Sequence, residues 1–479
     1  MPAVTLEERR SSDRPEPPLT YALILKLYVP LALSWVFMAL EGPSVTAIIG
    51  RLPHRELNSA AMLVLLSLAM WVESPVIDLL STATTLAKNR QHYVQLSRYV
   101  WYLIAWVTVA HAIVVFTPVY DFLALRVLSL PVDVAKQARL GLALMVPWSG
   151  FIGWRRYLQG ILIRFHQTRL ISAGTFTRVV TISVVGWSLF AFSKMPSIVI
   201  AGTALTTAVA MESIFIHFAS RATVRREFSA ETPPDEADDE GFAPSEIAEA
   251  PLTAAAIPDA VPKNDGFLTI RKLLSFHMPL AATTVVALIG GPIISAALSH
   301  SKQPVLSLAS WQVVSTLVWL CRTIEFALPE VIITLYKDAK SAAMLRQFSI
   351  RVGLTISGAM ALLAVTGGDR LFFGKILGES ESTVAMAHLA FCCAITLPLI
   401  GCQQNYIKGM LTAHHLTTAR FMSSLVSFTT LIVMLIIGVQ LKWTGVVNAA
   451  VALNTAIFGE VLVLFTFWRR GVKRLGIQL

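Results

Sequence analysis

Charged residues are scarce in this sequence. Only 14% of its 479 residues are Asp, Glu, Lys or Arg, whereas a soluble domain has roughly a quarter. Hydrophobic residues make up 55%, and the mean hydropathy is +0.65. A soluble chain with so few polar groups could not cover its surface with them. The composition therefore excludes a soluble enzyme, a secreted disulfide scaffold and a disordered chain, and it predicts a polytopic membrane protein.

Several motifs that carry chemistry are also missing. The sequence has neither a Gly-x-x-x-x-Gly-Lys-Ser/Thr phosphate loop nor a His-Glu-x-x-His zinc motif, which argues against nucleotide hydrolysis or zinc proteolysis of those types. Its four cysteines lie in apolar runs without metal-ligand spacing. We therefore predict no enzymatic activity, no cofactor and no metal site. The net charge of +10 is expected to meet anionic lipid head groups and not nucleic acid.

Long apolar runs dominate what is present, and about twelve of them can cross a bilayer as helices. Barrel strands would alternate apolar and polar residues, but these runs are apolar throughout. We therefore predict an all-α integral membrane protein. Its spans, numbered 1 to 12 along the chain, are residues 20–48, 57–86, 99–119, 138–163, 170–193, 196–220, 267–298, 304–334, 345–365, 383–411, 417–440 and 445–468.

Lysine and arginine are distributed unevenly between the two sides of these spans. With an even number of spans both termini share one side. That side carries 24 of the basic residues in flanks and loops, and the other side carries 10. Because cytoplasmic loops hold the excess of positive charge, we predict a multi-pass protein of the cytoplasmic (plasma) membrane with both termini in the cytoplasm.

An acidic stretch divides the chain into two parts. Between Glu231 and Glu249 there are eight acids and no Lys or Arg, and such a segment cannot bury enough apolar surface to order itself. The predicted organisation is then a cytoplasmic N-terminal tail (1–18), a six-helix bundle (19–221), a flexible acidic cytoplasmic linker (222–266), a second six-helix bundle (267–470) and a basic C-terminal tail (471–479).

The two predicted bundles repeat each other at a shift of 249 residues. Paired Gly and Pro in register are hard to obtain from composition bias alone. With six spans apiece the halves enter the membrane in the same sense, which is a parallel repeat. The paired stretches are Pro30-Leu31-Ala32 with Pro279-Leu280-Ala281, Gly42-Pro43 with Gly291-Pro292, Tyr157-Leu-Gln-Gly160 with Tyr406-Ile-Lys-Gly409, and His166 and Thr168 with His415 and Thr417.

Two parallel bundles that face each other enclose a cleft, and rocking one against the other opens it to each side in turn. We therefore predict a secondary active transporter of a small molecule that works by alternating access as a monomer. No selectivity-filter motif stands out, which weighs against a channel.

Ionisable residues inside spans are candidates for function, because they are costly in lipid and usually face the bundle interior. For ion coupling or gating we select the carboxylates of Glu41, Glu73, Asp78 and Glu325. Each of them could instead lie at an interface or form a structural salt bridge. Proline bends or breaks helices, and the predicted helix breaks are at Pro43, Pro75, Pro292 and Pro329.

Arg155-Arg156 in span 4 falls on Gln404-Asn405 in span 10, so both halves are polar at one depth. Arginine can hold a carboxylate or phosphate with two parallel hydrogen bonds. We predict that these four residues and Arg322 contact the substrate. Alternatively, Arg155 and Arg156 neutralise Glu73 or Asp78 or extend to the membrane surface, and Arg322 pairs with Glu325 three residues later.

Four short motifs stand out in the sequence. They are Tyr-Leu-Gln-Gly160 with His166-Gln167-Thr168-Arg169; Ser74-Pro75-Val76-Ile77-Asp78; residues 269–276 before Pro279; and Gly291-Pro292-Ile293-Ile294. Together they resemble the MOP flippase superfamily, which includes the MATE multidrug exporters and lipid-linked oligosaccharide flippases. Within it they resemble the progressive ankylosis protein family, whose motifs Gly-Pro-x-x-Asp and Arg-Pro-x-x are similar to the second and fourth, although Gly291 replaces the arginine of the latter. The resemblance implies a MATE-like fold and export of anions such as pyrophosphate, ATP and citrate, with Asp78 as a motif residue.

The predicted function is export of a small organic or inorganic anion, with H+ or Na+ as the coupling ion. Two alternatives stay open. Seven intramembrane carboxylates against four arginines would suit a proton- or sodium-coupled exporter of cationic drugs. A flippase of lipid-linked precursors would need a lateral groove that faces lipid. Glu212 and Glu460 recur in both halves, each nine residues before an arginine, and are expected to be architectural.

Overall fold

The computed structural model describes residues 19–165, 167–228, 268–413 and 418–475. Every regular element within these ranges is a helix. Ten helices there are long and apolar enough to cross a membrane, and a pair bent by 42° brings the number to eleven. The predicted all-α membrane architecture is thus confirmed. The predicted tail 1–18 and most of the predicted linker lie outside the described residues.

The helices follow the predicted spans in order. In the first half they are Tyr21–Ala39 and Glu41–Ile49 (span 1), Arg55–Ile77 and Leu79–Leu86 (span 2), Arg90–Phe116 (span 3), Val132–Leu144 and Trp148–Arg164 (span 4), Thr168–Phe192 (span 5) and Ser197–Glu227 (span 6). In the second half they are Ile270–Leu288 and Gly290–Ser299 (span 7), Pro304–Arg322 and Leu328–Leu335 (span 8), Ala339–Thr366 (span 9), Glu381–Ala394 and Leu397–Ala413 (span 10), Thr418–Gln440 (span 11) and Gly445–Leu475 (span 12).

The structure divides or extends several of the predicted spans. Span 4 is not among the eleven apolar candidates, and a turn that ends at Pro147 divides it into helices of 13 and 17 residues. The helix of span 6 continues to Glu227, six residues into the predicted linker, with Arg225 and Arg226 in its last turn. Basic residues there interact favourably with the helix dipole, which helps the helix to continue. Span 12 likewise continues as helix to Leu475, into the predicted tail.

The internal repeat recurs in the hydrogen bonds. The Tyr157 hydroxyl donates to the carbonyl of Tyr93 at 3.1 Å, and the Tyr406 hydroxyl donates to the carbonyl of Ala342 at 3.2 Å. Donor and acceptor are both shifted by 249 residues. Spans 1 and 7 also turn at equivalent residues, Leu40 and Ile289. The repeated tyrosine therefore ties span 4 to the start of span 3 in one half and span 10 to the start of span 9 in the other.

The glycine of the same repeated motif brings two helices into contact. A Cβ on Gly160 would lie 2.3 Å from the carbonyl oxygen of Leu80, and a Cβ on Gly409 would lie 3.1 Å from the equivalent oxygen of Pro329. Both partners belong to the second, short helix of a broken span. The absence of a side chain thus lets span 4 approach the end of span 2, and span 10 the end of span 8.

A helix boundary lies next to each predicted break. Pro43 and Pro292 are in the first turn of the second helix of spans 1 and 7. Backbone N–H groups there have no acceptor within the helix, so proline, which lacks an N–H, loses no hydrogen bond. Pro329 holds a similar place after the 3-10 turn Thr323–Ala327. Pro75 lies inside its helix, and the interruption comes three residues later at Asp78.

The first span of each half packs against the other half. Tyr28 of span 1 donates to the carbonyl of Ile324 in span 8 at 3.0 Å, and its ring lies edge-on to Phe348 at 5.1 Å between centroids. In span 7, Nε2 of His277 lies 2.9 Å from the carbonyl oxygen of Pro75 in span 2. Spans 1 and 7 therefore cross between the two halves.

Chain ends and loops define two faces. We call the face that holds Tyr21 and Arg90 the terminal face, and the one that holds Arg51 and Lys375 the far face. At the far face the Arg51 guanidinium donates to the carbonyls of Ile376 and Lys375 at 2.8 and 3.0 Å. Ser59 donates to Glu379 at 2.6 Å. The two halves are therefore joined at the far face.

Candidate functional site

A network of buried charges lies inside the first half and centres on Glu212 of span 6. Its carboxylate is fully buried and forms ion pairs with Arg155 of span 4 and with Nε of Arg178 of span 5, the latter at 3.5 Å. Arg178 also reaches Glu41 of span 1 at 3.2 Å. Because a buried charge is strongly destabilising when its partner is removed, this network fixes four spans relative to one another.

Glu73 of span 2 borders the network but has a different partner. Its carboxylate accepts a hydrogen bond from the indole N–H of Trp148, and the residue is 1% exposed. Arg156 directs Nη1 to the side-chain oxygen of Gln159 at 3.5 Å. With Glu73 and Arg156 included, the cluster holds three arginines and three glutamates, so its formal charges balance.

A small cavity opens beside these charges, among spans 1, 4 and 5. Its volume is about 30 Å³, enough for water or a very small ion. Three guanidinium groups and no carboxylate are among the lining residues, and the buried carboxylates of Glu73 and Glu212 stand behind them. The surface that a bound molecule would meet is therefore cationic. The lining residues are Trp35, Met38, Arg155, Arg156, Gln159, Thr175 and Arg178.

The candidates of the second half lie elsewhere. Arg322 pairs with Glu325, with 2.9 Å between Nε and Oε1, as the alternative interpretation held. Gln404 and Asn405 are buried in span 10. None of these residues lines the cavity beside Arg155 and Arg156. The structure therefore gathers Arg155, Arg156, Glu41 and Glu73 and leaves the second-half candidates as a separate group.

Asp78 belongs to the contact between the halves. It lies at the break of span 2, where the hydroxyl of Thr284 in span 7 donates to its Oδ2 at 2.5 Å. One turn further, Thr82 contacts Nδ1 of His277 at 2.9 Å. A change in the position of span 7 would alter these contacts, so Asp78 is placed to respond to relative motion of the halves.

Two central members of the network were not among the predicted site residues. Glu212 was expected to be architectural, and its recurrence as Glu460 was a usable signal: Glu460 also forms an ion pair, with Lys408 at 2.8 Å. Arg178 was not selected. Its signal was a stripe of positions three or four residues apart in span 5, all of them buried in the structure, which shows that this arginine faces the bundle interior. The stripe is Ile171, Gly174, Arg178, Ile182 and Gly186.

The contact at the far face is expected to depend on pH through Glu379, which lies in the loop before span 10. Burial raises the pKa of Glu379 to about 7, while the Ser59 hydrogen bond and Arg55 act to lower this pKa and Glu56 acts to raise it. Because the protonated acid is favoured where it is buried, the contact is most stable below about pH 4, the ordinary range of a glutamate. That stability is lost as the pH rises through about 7.

We therefore expect the far face to open more readily at pH 8 than at pH 5.5. Distances between spin labels on P53C and E381C, in a background without native cysteines, measure this opening. E379Q should remove the pH dependence between these two values and keep the face closed. An unchanged pH response in E379Q would contradict this assignment.

Comparison with known proteins identifies the fold. No protein-family model and no curated protein matches this sequence. An inward-facing multidrug resistance MATE transporter of the MOP superfamily superposes with a TM-score of 0.68 at 11% identity over 93% of this chain and 98% of its own. The lipid II flippase MurJ, in an inward closed conformation, superposes with a TM-score of 0.66 at 13% identity over 92% of this chain and 87% of its own. This chain has the MATE fold.

A MOP superfamily transporter from Pyrococcus furiosus superposes with a TM-score of 0.61 at 12% identity over 95% of this chain and 96% of its own. The TM-score is lower, 0.55, with an outward-facing MATE transporter. These comparisons confirm the MATE-like fold that the sequence motifs implied, and they do not single out the progressive ankylosis family.

Proposed function

We propose that the MATE-fold chain is a secondary transporter that moves a small anion across the membrane by alternating access. The cationic cavity of the first half is its binding site in this proposal. The observation that carries it is the lining of that cavity, which includes Arg155, Arg156 and Arg178 and no carboxylate. Guanidinium groups bind carboxylate and phosphate oxygens with charge-assisted hydrogen bonds.

The carboxylates of the network fit this proposal as support for the arginines. Glu212 is fully buried and Glu73 is 1% exposed, so neither is available to a molecule in the cavity. Their charges offset the cost of burying three guanidinium groups. The cavity volume of about 30 Å³ requires the lining to separate before a citrate-sized anion enters, which alternating access would provide.

Orientation and coupling follow as parts of the same proposal. The terminal face carries the excess of Lys and Arg and is cytoplasmic, so the joined far face is extracytoplasmic. The protein works as a monomer. Glu73 is a candidate proton carrier, because its partner is an indole and proton exchange there breaks no direct ion pair.

The proposal is tested by flux of labelled citrate, pyrophosphate and ATP in proteoliposomes, with and without a pH gradient. R156Q should reduce anion flux at least tenfold, because one charge-assisted bidentate contact contributes roughly 1.5–3 kcal/mol. R126Q, which removes an exposed arginine near the far face, is the matched control and should keep wild-type flux. Equal fluxes in the two variants would contradict the assignment of the cavity.

A proton-coupled exporter of organic cations is the second candidate. Glu73 favours it, since a carboxylate whose partner is an indole can take up and release a proton without breaking a direct ion pair, which suits coupling to a proton gradient. In the same proteoliposomes, gradient-dependent flux of a cationic dye that is lost in E73Q, together with no anion flux, would favour this function over the first.

A further inference from the structure

A second and larger cavity lies outside the proposed transport site. Its volume is about 400 Å³, and it is formed where spans 3, 4 and 6 meet near the terminal face. Tyr93 comes from the first turn of the span 3 helix, which begins at Arg90, and Arg225 from the last turn of the span 6 helix. The cavity therefore lies at the level where that bundle meets the membrane surface.

The wall of this cavity is rich in hydrogen-bond donors. The indole N–H of Trp154 donates to Nδ1 of His217 at 3.3 Å. The remaining ring nitrogen, Nε2, then carries the proton of the neutral imidazole. Nη2 of Arg221 lies 3.3 Å from this Nε2, so two donors stand side by side. An acceptor oxygen between them would satisfy both.

The charges of the lining have one sign. Arg221 and Arg225 belong to it, and no carboxylate does. The neighbouring Arg226 is not part of the lining and pairs with Glu227 at 2.6 Å. The guanidinium of Arg221 lies over the ring of Phe218 at 4.5 Å, which holds it against the helix. The lining therefore favours an anionic group.

The surroundings of the cavity are apolar and aromatic. Trp101 stacks on Trp154 with 4.9 Å between ring centroids and is 55% exposed. Phe218 is 57% exposed. In a membrane protein such rings face the lipid near the interface. A ligand with an anionic head and apolar chains would use both the basic cavity and this surface, whereas a soluble anion would use only the first.

We propose that this cavity binds the phosphate of an anionic phospholipid from the leaflet at the terminal face, between the His217–Arg221 pair and Arg225, with its acyl chains along Trp101 and Phe218. Basic pockets between helices on the cytoplasmic side are suited to anionic lipid head groups. The site shares no lining residue with the cavity of the proposed transport site.

Native mass spectrometry of the full chain in detergent, titrated with phosphatidylglycerol, tests the proposal. We expect R221Q/R225Q to bind this lipid on the order of 20-fold more weakly, since each arginine near the surface contributes several-fold. R226Q removes one arginine from the same helix end outside the lining and should bind as wild type does. Equal weakening in R226Q would overturn the proposal in favour of unspecific charge.

Two further measurements distinguish a phospholipid from a soluble anion and distinguish a local effect on binding from misfolding. Phosphatidylcholine should bind weakly, and inorganic phosphate at millimolar concentration should not displace phosphatidylglycerol. Displacement by phosphate would show a site for soluble anions and overturn the assignment to lipid.

The variant W154F keeps every charge of the lining but loses the indole donor. We expect it to bind phosphatidylglycerol several-fold more weakly with an unchanged melting temperature, and unchanged binding would contradict the proposed geometry.

Discussion

Replacing Glu212 with glutamine is expected to lower the free energy of unfolding by about 3–5 kcal/mol, the usual effect of removing one partner from a buried ion pair. Glu212 is fully buried and pairs with Arg155 and Arg178. Glutamine fits the same space, so the loss would come from charge alone. The melting temperature in detergent and the yield of monodisperse protein measure the effect.

The internal repeat supplies the matched control for this change. Glu460 occupies the equivalent place in span 12 but pairs with Lys408, whose side chain is 18% exposed. Because the Lys408 ammonium group is partly exposed, water can solvate it when its partner is lost. E460Q should therefore destabilise the protein less than E212Q. A melting temperature that falls equally in both variants would show that burial of the two arginines does not set the stability of the first half.

Alanine in place of Gly160 is expected to have the second large effect. Its Cβ would lie 2.3 Å from the carbonyl oxygen of Leu80 and 2.7 Å from the Cβ of Ala83. A backbone carbonyl in a packed helix cannot move aside without displacing the helix, so spans 2 and 4 would have to separate. We expect a cost near the upper end of the roughly 1–3 kcal/mol typical of overpacking, seen as a lower melting temperature.

Two other glycines make this a graded series. The equivalent Gly409 has its nearest contacts at 3.0 to 3.1 Å, so G409A should cost less than G160A. Gly358 has nothing within 4 Å of its Cβ position, and G358A should be neutral or slightly stabilising, since alanine favours helix. Any other order of melting temperatures would contradict the proposed role of the close contact.

The repeat was the most informative feature that could be found in the sequence alone. The paired motif at Tyr157 and Tyr406 predicted equivalent positions in the two halves, and the hydrogen bonds to residues 93 and 342 have the same shift. The reason why a glycine lies three residues after each tyrosine is visible only in the fold. The carbonyl oxygen that the glycine approaches lies about 80 residues earlier in the chain.

The roles of the charged residues were less accessible to sequence reasoning. Arg155 was predicted to contact substrate, and the structure pairs it with Glu212, which is 57 residues away. The pair of Arg322 with Glu325 was foreseeable, since residues three apart meet on one helical face. Spacing predicts contacts within a helix, but it carries no information about which faces of two separate helices meet.

Hydropathy and the repeat by themselves determined that this protein is an all-α membrane protein with two related halves, because each crossing of the hydrocarbon core requires a long apolar helix and leaves a local pattern. Only the tertiary structure decided how these helices cross. It placed spans 1 and 7 against the opposite halves, set the arginines of the first half before its buried glutamates, and joined the far face through Arg51 and Glu379. These arrangements depend on the packing of helices distant in sequence, where the cost of an unpaired charge selects the partner.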